Sequence, residues 1–355
     1  MKKIGPLLLV GIIIVGGFLF SSRKKPVVPV VKKIATVTPT LKQAVVISEK
    51  KSLFVPDWSL TGTGKIPTGY DRLIYFGTMT KLLPSQLNGQ KEIWYTVKIA
   101  ELPEQSQWSG LAQSNIDIAK DYNVSGIVLD LEISGLPTDD AMTQINKFVE
   151  YFYTQFHQHY IKMAVAVYGD TFYRRRPFDL RFINDHSDEI MVMAYDFHKS
   201  RGEPGPNFPL KDTDSRGYDF QRMITDFLQF VPSNKITVIF GMFGYDWNVD
   251  EKKRPIAPAK ALTLNEIKSK FLGMGNSGNI SIGCLLKDCI YKRDDVSKES
   301  EIDYTVSSSM PDDQGIYRID YHIVWFEDEE SVKLKTQYLN EKGIGSVAYW
   351  ANGYF

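Results

Sequence analysis

Eight short apolar or alternating runs recur between stretches of helical periodicity, and this rhythm limits the fold more than any other feature of the chain. The runs are Leu53–Val55, Leu73–Phe76, Glu92–Ile99, Gly126–Leu131, Lys162–Tyr168, Glu189–Tyr195, Ile236–Phe243 and Gly345–Trp350. Trp108–Tyr122, Asp139–His159, Tyr218–Phe230 and Ser331–Lys342 have the length and pattern of crossover helices. Buried strands that alternate with helices predict a parallel sheet. Eight such units over about 300 residues predict an α/β fold of the closed (β/α)8 barrel type rather than an open doubly wound sheet. No GxGxxG or GxxxxGK[ST] follows any run, so nucleotide binding has no support.

The interval between Phe243 and Trp325 is too long for one crossover helix. It predicts a small α+β insertion between the seventh and eighth barrel strands, spanning about residues 248–324 and packed over the C-terminal rim, where active sites sit in this fold.

Charge divides the 355 residues unevenly. The 42 Lys and Arg equal the 42 Asp and Glu, but eight basic residues and no acidic one precede Ser48, leaving 34 basic against 42 acidic residues after it. A part with that balance is a poor nucleic-acid partner. The uncharged run Ile4–Phe20 follows Lys2 and Lys3, and as a helix it is roughly 26 Å long, near the short limit for a bilayer span. Residues 1–25 therefore read as an uncleaved transmembrane anchor; the alternative, a cleaved signal peptide, lacks an A-x-A site before Arg23. Residues 26–51, rich in Pro, Val and Thr, read as a semi-extended tether, and 52–355 as the barrel. Flanking charges leave the orientation open; the substrate class argued below favours the outside of the cell. Cys284 and Cys289, spaced C-x4-C with no histidine at zinc-site spacing, either close a small disulfide loop or remain thiols, and no metal or organic cofactor is expected.

Strand ends hold the candidate chemistry. Asp130 and Glu132 lie two apart, on one face of the fourth strand, and point into the barrel mouth; the bland alternative is a pair of solvated loop residues or helix caps. Tyr195 and Asp196 end the sixth strand, and Trp350 the eighth, unless Trp350 is a core residue. Tyr245, Asp246 and Trp247 follow the seventh strand and either bind substrate or anchor the insertion. Trp325 reads as core, His198 as structural, and Glu327 with Asp328 as the acidic first turn of the last helix.

In their order, the segments Gly126…Asp130-x-Glu132, Met193-Ala194-Tyr195-Asp196-Phe197-His198, Phe243-Gly244-Tyr245-Asp246-Trp247, His322–Asp328 and Gly345–Trp350 resemble family 18 glycoside hydrolases over roughly Ser52 to Phe355. The pattern is most similar to the bacterial chitinase-like branch that includes spore-cortex and cell-wall N-acetylglucosaminidases. The resemblance implies a retaining, substrate-assisted mechanism, in which the sugar's own acetamido oxygen is the nucleophile. It assigns Glu132 as general acid and base, and Asp130 as the residue that orients the acetamido group and raises the pKa of Glu132. Tyr195 and Asp196 would bind the acetamido group and hydroxyls, and Trp350 would floor the reacting sugar. The fuller signature, D-G-x-D-x-D-x-E, is incomplete: Ser125 and Val128 stand where two aspartates are usual. Asp130 would then rely on Ser125, Tyr95 or water. The small S-x-G-G segment of the third strand is replaced by Trp94-Tyr95-Thr96-Val97-Lys98.

Two functions remain in play. One is a membrane-anchored, extracytoplasmic, monomeric glycosidase cutting β-1,4 links of N-acetylglucosamine glycans, chitin-like or peptidoglycan. The other is a chitinase-like glycan-binding protein with little or no turnover, which Val128 favours and Glu132 disfavours.

Overall fold

The computed structural model describes residues 50–60, 66–79, 92–212, 217–273, 285–286, 288–307, 314–315 and 318–355. The expected anchor and all but the last two residues of the expected tether lie outside them, as does Cys284. No helix among the described residues is long and apolar enough to cross a membrane.

Eight parallel strands close the expected barrel: β1 (Lys50–Pro56), β2 (Arg72–Phe76), β3 (Ile93–Ile99), β4 (Gly126–Leu131), β5 (Lys162–Tyr168), β6 (Glu189–Ala194), β7 (Ile236–Gly241) and, after the insertion, β13 (Ser346–Trp350). The barrel's first strand thus starts at Lys50, two residues before the boundary read from the sequence. Helices α1 (Trp108–Asp121), α2 (Asp139–Gln158), α3 (Leu180–Asp185) and α4 (Phe220–Phe227) lie in the crossovers. α2 shows why such segments fold. Thr138 caps it by accepting from the Ala141 amide, Asp139 and Asp140 lie in its first turn, and Ile145, Phe148, Val149, Phe152 and Phe156 form one buried stripe. Truncating one of these wholly buried phenylalanines to alanine costs about 3–5 kcal/mol.

The insertion begins earlier than the sequence suggests. Ile236–Phe243 reads as one strand, but the chain leaves the barrel after Gly241 and enters a five-stranded antiparallel sheet at Phe243. That sheet comprises β8 (Phe243–Val249), β9 (Lys260–Thr263), β10 (Cys289–Arg293), β11 (Ser300–Ser307) and β12 (Ile319–Phe326), in the order β10-β11-β12-β8-β9. Thr263 and Glu266 form a reciprocal cap on the one-turn helix α5 (Leu264–Ile267). Asp328 and Ser331 do the same for α6 (Glu329–Glu341), which leads back to β13. Cys289 is disulfide-bonded.

Inside the barrel, side chains alternate strand by strand and stack in layers. The floor is polar. Arg72 grips Glu189 through two bonds of 2.7 Å, reaches Ser52 at 2.9 Å and lies 4.4 Å from the centre of the Trp94 ring. Burial opposes ionisation of Glu189, but the charge and hydrogen bonds of Arg72 outweigh it and hold the carboxyl below its ordinary range. Above lies a dry layer that includes Phe54, Ile74, Val128, Ala164, Met191 and Ile239.

Candidate active site

β4 supplies the central pair. Gly126 is fixed by packing: a Cβ there would lie 2.2 Å from the Trp94 indole, which fills the space beside it. Two residues on, Val128 is wholly buried in the dry layer, and two further on Asp130 reaches the mouth, with Lys98 of β3 and Ala166 of β5 as its register neighbours. Asp130 is only 7% exposed. Burial, then the charge of Glu132, push its carboxyl up to about 7 against the opposing charge of Lys98, and the two carboxyls are hydrogen-bonded to each other. Its Oδ1 has no protein partner, and neither does Oγ1 of Thr96 on β3. The partners expected for Asp130 turn elsewhere. Ser125 donates to the Ile93 carbonyl and Tyr95 bonds Asn115 behind the sheet, so neither replaces the aspartate missing at Val128.

Glu132, just past the end of β4, is half-buried and ion-paired to Lys98 at 2.7 Å. Tyr168 ends β5 beside it; burial, then the charge of Glu132, push its hydroxyl up to about 12. The Arg176 guanidinium lies 4.1 Å, and the Lys199 ammonium 5.6 Å, from the centre of the Tyr168 ring. Arg176 and Arg174 both bind Asp170; burial opposes its ionisation, but they hold its carboxyl below the ordinary range.

After β6 the chain turns sharply. Tyr195 packs against the dry layer, and burial, followed by the charges of Asp130 and Asp196, raises its hydroxyl well above the ordinary range. Glycine is required at 241, because a Cβ there would lie 2.7 Å from that of Tyr195. Asp196 adopts a left-handed conformation with φ of 60°. Asn207 holds that turn: its Oδ1 accepts from the Asp196 amide at 2.8 Å, and its Nδ2 donates to the carbonyls of Gly241 and Phe243. Tyr245, from the insertion, donates to Asp196 Oδ1 at 2.7 Å. Burial raises the Asp196 carboxyl despite that bond and the charge of Lys199.

Asn207 is itself held from below. Glu299 accepts the amides of Asn207 and Phe208 at 2.5 and 2.8 Å, and Lys335 of α6 bonds Glu299 at 2.7 Å and Glu327 at 2.5 Å. All three side chains are wholly buried. Burial pushes the Glu327 carboxyl up to about 8 against the charge of Lys335. Glu327 is therefore not the helix-opening charge that its sequence position suggests; Asp328 is the N-cap of α6, and Glu327 bonds into this buried cluster.

The fourth side of the mouth is aromatic. Trp350, half-buried at the end of β13, meets Phe76 at 4.9 Å, Phe54 at 5.6 Å and Trp58 at 6.2 Å between ring centres. Trp58 is 48% exposed, which leaves half its surface open at the rim. A hollow of about 260 Å³ lies between Trp350 and Tyr245, lined also by Phe243, Leu262, Glu266 and Tyr354. Larger hollows of about 440 and 580 Å³ are lined by the insertion and by the α4 side of the barrel, and none of the four mouth residues Asp130, Glu132, Tyr195 and Asp196 lines either.

Asp130, Glu132, Tyr195, Asp196, Tyr245 and Trp350 thus meet at one mouth. Trp247 and Asp246 do not. Trp247, read from sequence as substrate-binding, is wholly buried and its indole N–H donates to the Gly202 carbonyl, so it has no surface for a ligand. Asp246 lies on the opposite face of β8 from Tyr245 and is consumed by Tyr304, His322 and Lys270. His198 is buried and bonds the Pro206 carbonyl, the structural role expected of it. Sequence reasoning passed over Lys98, Trp58, Asn207 and the Lys335 cluster. Lys98 shares strand parity with Trp94 and Thr96, a usable signal; the contact of Asn207 with Asp196 leaves no local trace.

The sequence profile of the family described as "Glycosyl hydrolases family 18" matches residues 99–354. The "uncharacterized glycosylase YvbX" of Bacillus subtilis (strain 168) is 25% identical over 247 residues, which are 67% of this chain and 60% of YvbX. The chain spans 60% or less of the length of the curated relatives it matches. Among solved structures, a family 18 N-acetylglucosaminidase from Paenibacillus barengoltzii aligns with a TM-score of 0.69 at 13% identity, covering 87% of this chain and 96% of that one. The spore cortex-lytic enzyme SleL of Bacillus cereus aligns with a TM-score of 0.60 at 17% identity, covering 87% and 72%.

Proposed function

Because the chain belongs to glycosyl hydrolases family 18, we propose that it is a retaining, substrate-assisted glycosidase that cuts β-1,4 links next to N-acetylglucosamine. The observation that carries this reading is the buried Asp130 beside the half-buried Glu132 at the C-terminal mouth of the barrel, with Tyr195, Asp196 and Trp350 around them. Glu132 protonates the leaving oxygen and then, as a carboxylate, draws a proton from the attacking water. The substrate's acetamido oxygen attacks the anomeric carbon, so one acid is enough and no second enzyme carboxylate acts as nucleophile.

Asp130 serves the acetamido group. Its Oδ1 has no protein partner and accepts the acetamido N–H, while its negative charge offsets the cyclic cation that forms. Tyr195 and Asp196 bind the acetamido group and neighbouring hydroxyls, and Trp350 floors the sugar.

Substrate and setting follow from the same reading. The uncharged run Ile4–Phe20 holds the chain in the membrane, and the tether carries a monomeric barrel into the cell envelope, where peptidoglycan-type glycans are in reach. A second reading, sugar binding with little turnover, is favoured by Val128, which leaves Asp130 above a dry layer, and by Lys98 on the acid. Incubation of the purified chain with N-acetylglucosamine oligomers and peptidoglycan, beside Glu132→Gln, separates the two. Cleavage lost in the variant supports the glycosidase, and binding without product supports the second.

A further inference from the structure

Lys98 has no use in the reaction as described, and its position is costly to it. A group that must donate a proton is here met by an ammonium at 2.7 Å. Both side chains are substantially exposed, so the pair is not a buried structural tie. Strand parity aims Lys98 into the mouth with Thr96, and its register neighbour is Asp130, whose Oδ1 is buried without a partner. Two further cations, Arg176 and Lys199, lie over the ring of Tyr168 at the end of β5. Asp170 is a single carboxylate shared by two arginines.

A neutral glycan offers Lys98 only hydroxyls in exchange for the carboxylate it holds, whereas a carboxylate on the glycan replaces it in kind. We propose that Lys98 is a specificity-determining residue that reads a carboxylate on the sugar flanking the scissile bond, making carboxylate-bearing amino-sugar glycans the preferred substrates. In moving onto that carboxylate, Lys98 leaves Glu132, so the right substrate frees the acid. This deepens the glycosidase reading and rests on it.

The test compares kcat/KM of the full chain on five oligomer sets of equal length. These are plain N-acetylglucosamine oligomers, alternating N-acetylglucosamine and N-acetylmuramic acid with free lactyl carboxylates, the methyl esters of the latter, and hyaluronan oligomers with their esters. A charge-assisted contact predicts that the wild type prefers an acid over its ester by about 10- to 100-fold. Lys98→Met loses that ratio and Lys98→Arg keeps it. Preference for the lactyl acid or for the uronic acid tells which carboxylate is read. Equal rates on acid and ester with the wild type, or an unchanged ratio in a Lys98→Met that keeps the wild-type circular dichroism, overturns the proposal. If no oligomer is cut, the plain ones included, the glycosidase reading fails instead. Calorimetric affinities for acid against ester then decide the role of Lys98 by the same ratio.

Discussion

Replacing Asp130 by Asn should stabilise the protein, and increasingly so as pH rises. The Asp130 carboxyl is 7% exposed, stands over the wholly buried Val128 and touches Glu132, and its pKa is pushed from 3.8 to about 7. A raised folded-state pKa means that between those two values the native state binds more protons than the unfolded one, so stability falls as pH rises through the window and is flat above it. Three units at 1.36 kcal/mol each set the full penalty at about 4 kcal/mol, of which about 2–3 kcal/mol develops between pH 5 and pH 8.5. Asn has the same shape and never ionises. Urea unfolding of wild type and Asp130→Asn at both pH values measures the double difference, in which the titration of other groups largely cancels. The gain from the variant should be larger at pH 8.5 by that amount. A gain that is the same at both pH values, or larger at pH 5, would refute the account of Asp130 as a buried carboxyl held near neutrality.

Other consequences are as concrete. Glu132→Gln should lower kcat by about 10²–10⁴-fold with the melting temperature kept, the usual contribution of a general acid. Tyr245→Phe removes the hydrogen bond to Asp196, worth about 1 kcal/mol, and should cut kcat/KM about fivefold; an unchanged value would detach the insertion from the site. Lys335→Met leaves Glu299 and Glu327 buried without their cation and should cost about 3–5 kcal/mol in denaturant unfolding. Trp58→Ala should raise KM for long oligomers more than for short ones if its exposed face stacks on a sugar beyond the reacting one.

The sequence disclosed most where burial is two-sided. Gly126–Leu131 and Lys162–Tyr168 match β4 and β5 end to end, because strands covered on both faces leave largely apolar runs with sharp edges. The Asp130–Glu132 placement followed from strand parity alone. The break between β7 and β8 is hidden in the sequence, since the stretch from Val238 to Phe243 holds no polar side chain; at the end of β7 Gly241 packs against Tyr195, a tertiary contact. α3 is six residues long, too short to show a period. The segment Tyr245-Asp246-Trp247 reads from sequence as either substrate-binding or an anchor for the insertion, and it divides between the two because it lies on β8, where successive residues face opposite ways: Tyr245 bonds Asp196 at the mouth and Trp247 packs the insertion. Glu299, Glu327 and Lys335 form a cluster from three separate segments, and each looked like an ordinary charged residue until the fold buried it.

The central claim is that Glu132 and the substrate's own acetamido group do the chemistry. Proton NMR of freshly cleaved N-acetylglucosamine oligomers tests it most directly, with the full chain and Glu132→Gln recorded side by side before mutarotation. The account predicts new reducing ends that appear first as the β-anomer with wild type and not at all with the variant; first appearance of the α-anomer, or equal cleavage by the variant, would contradict it.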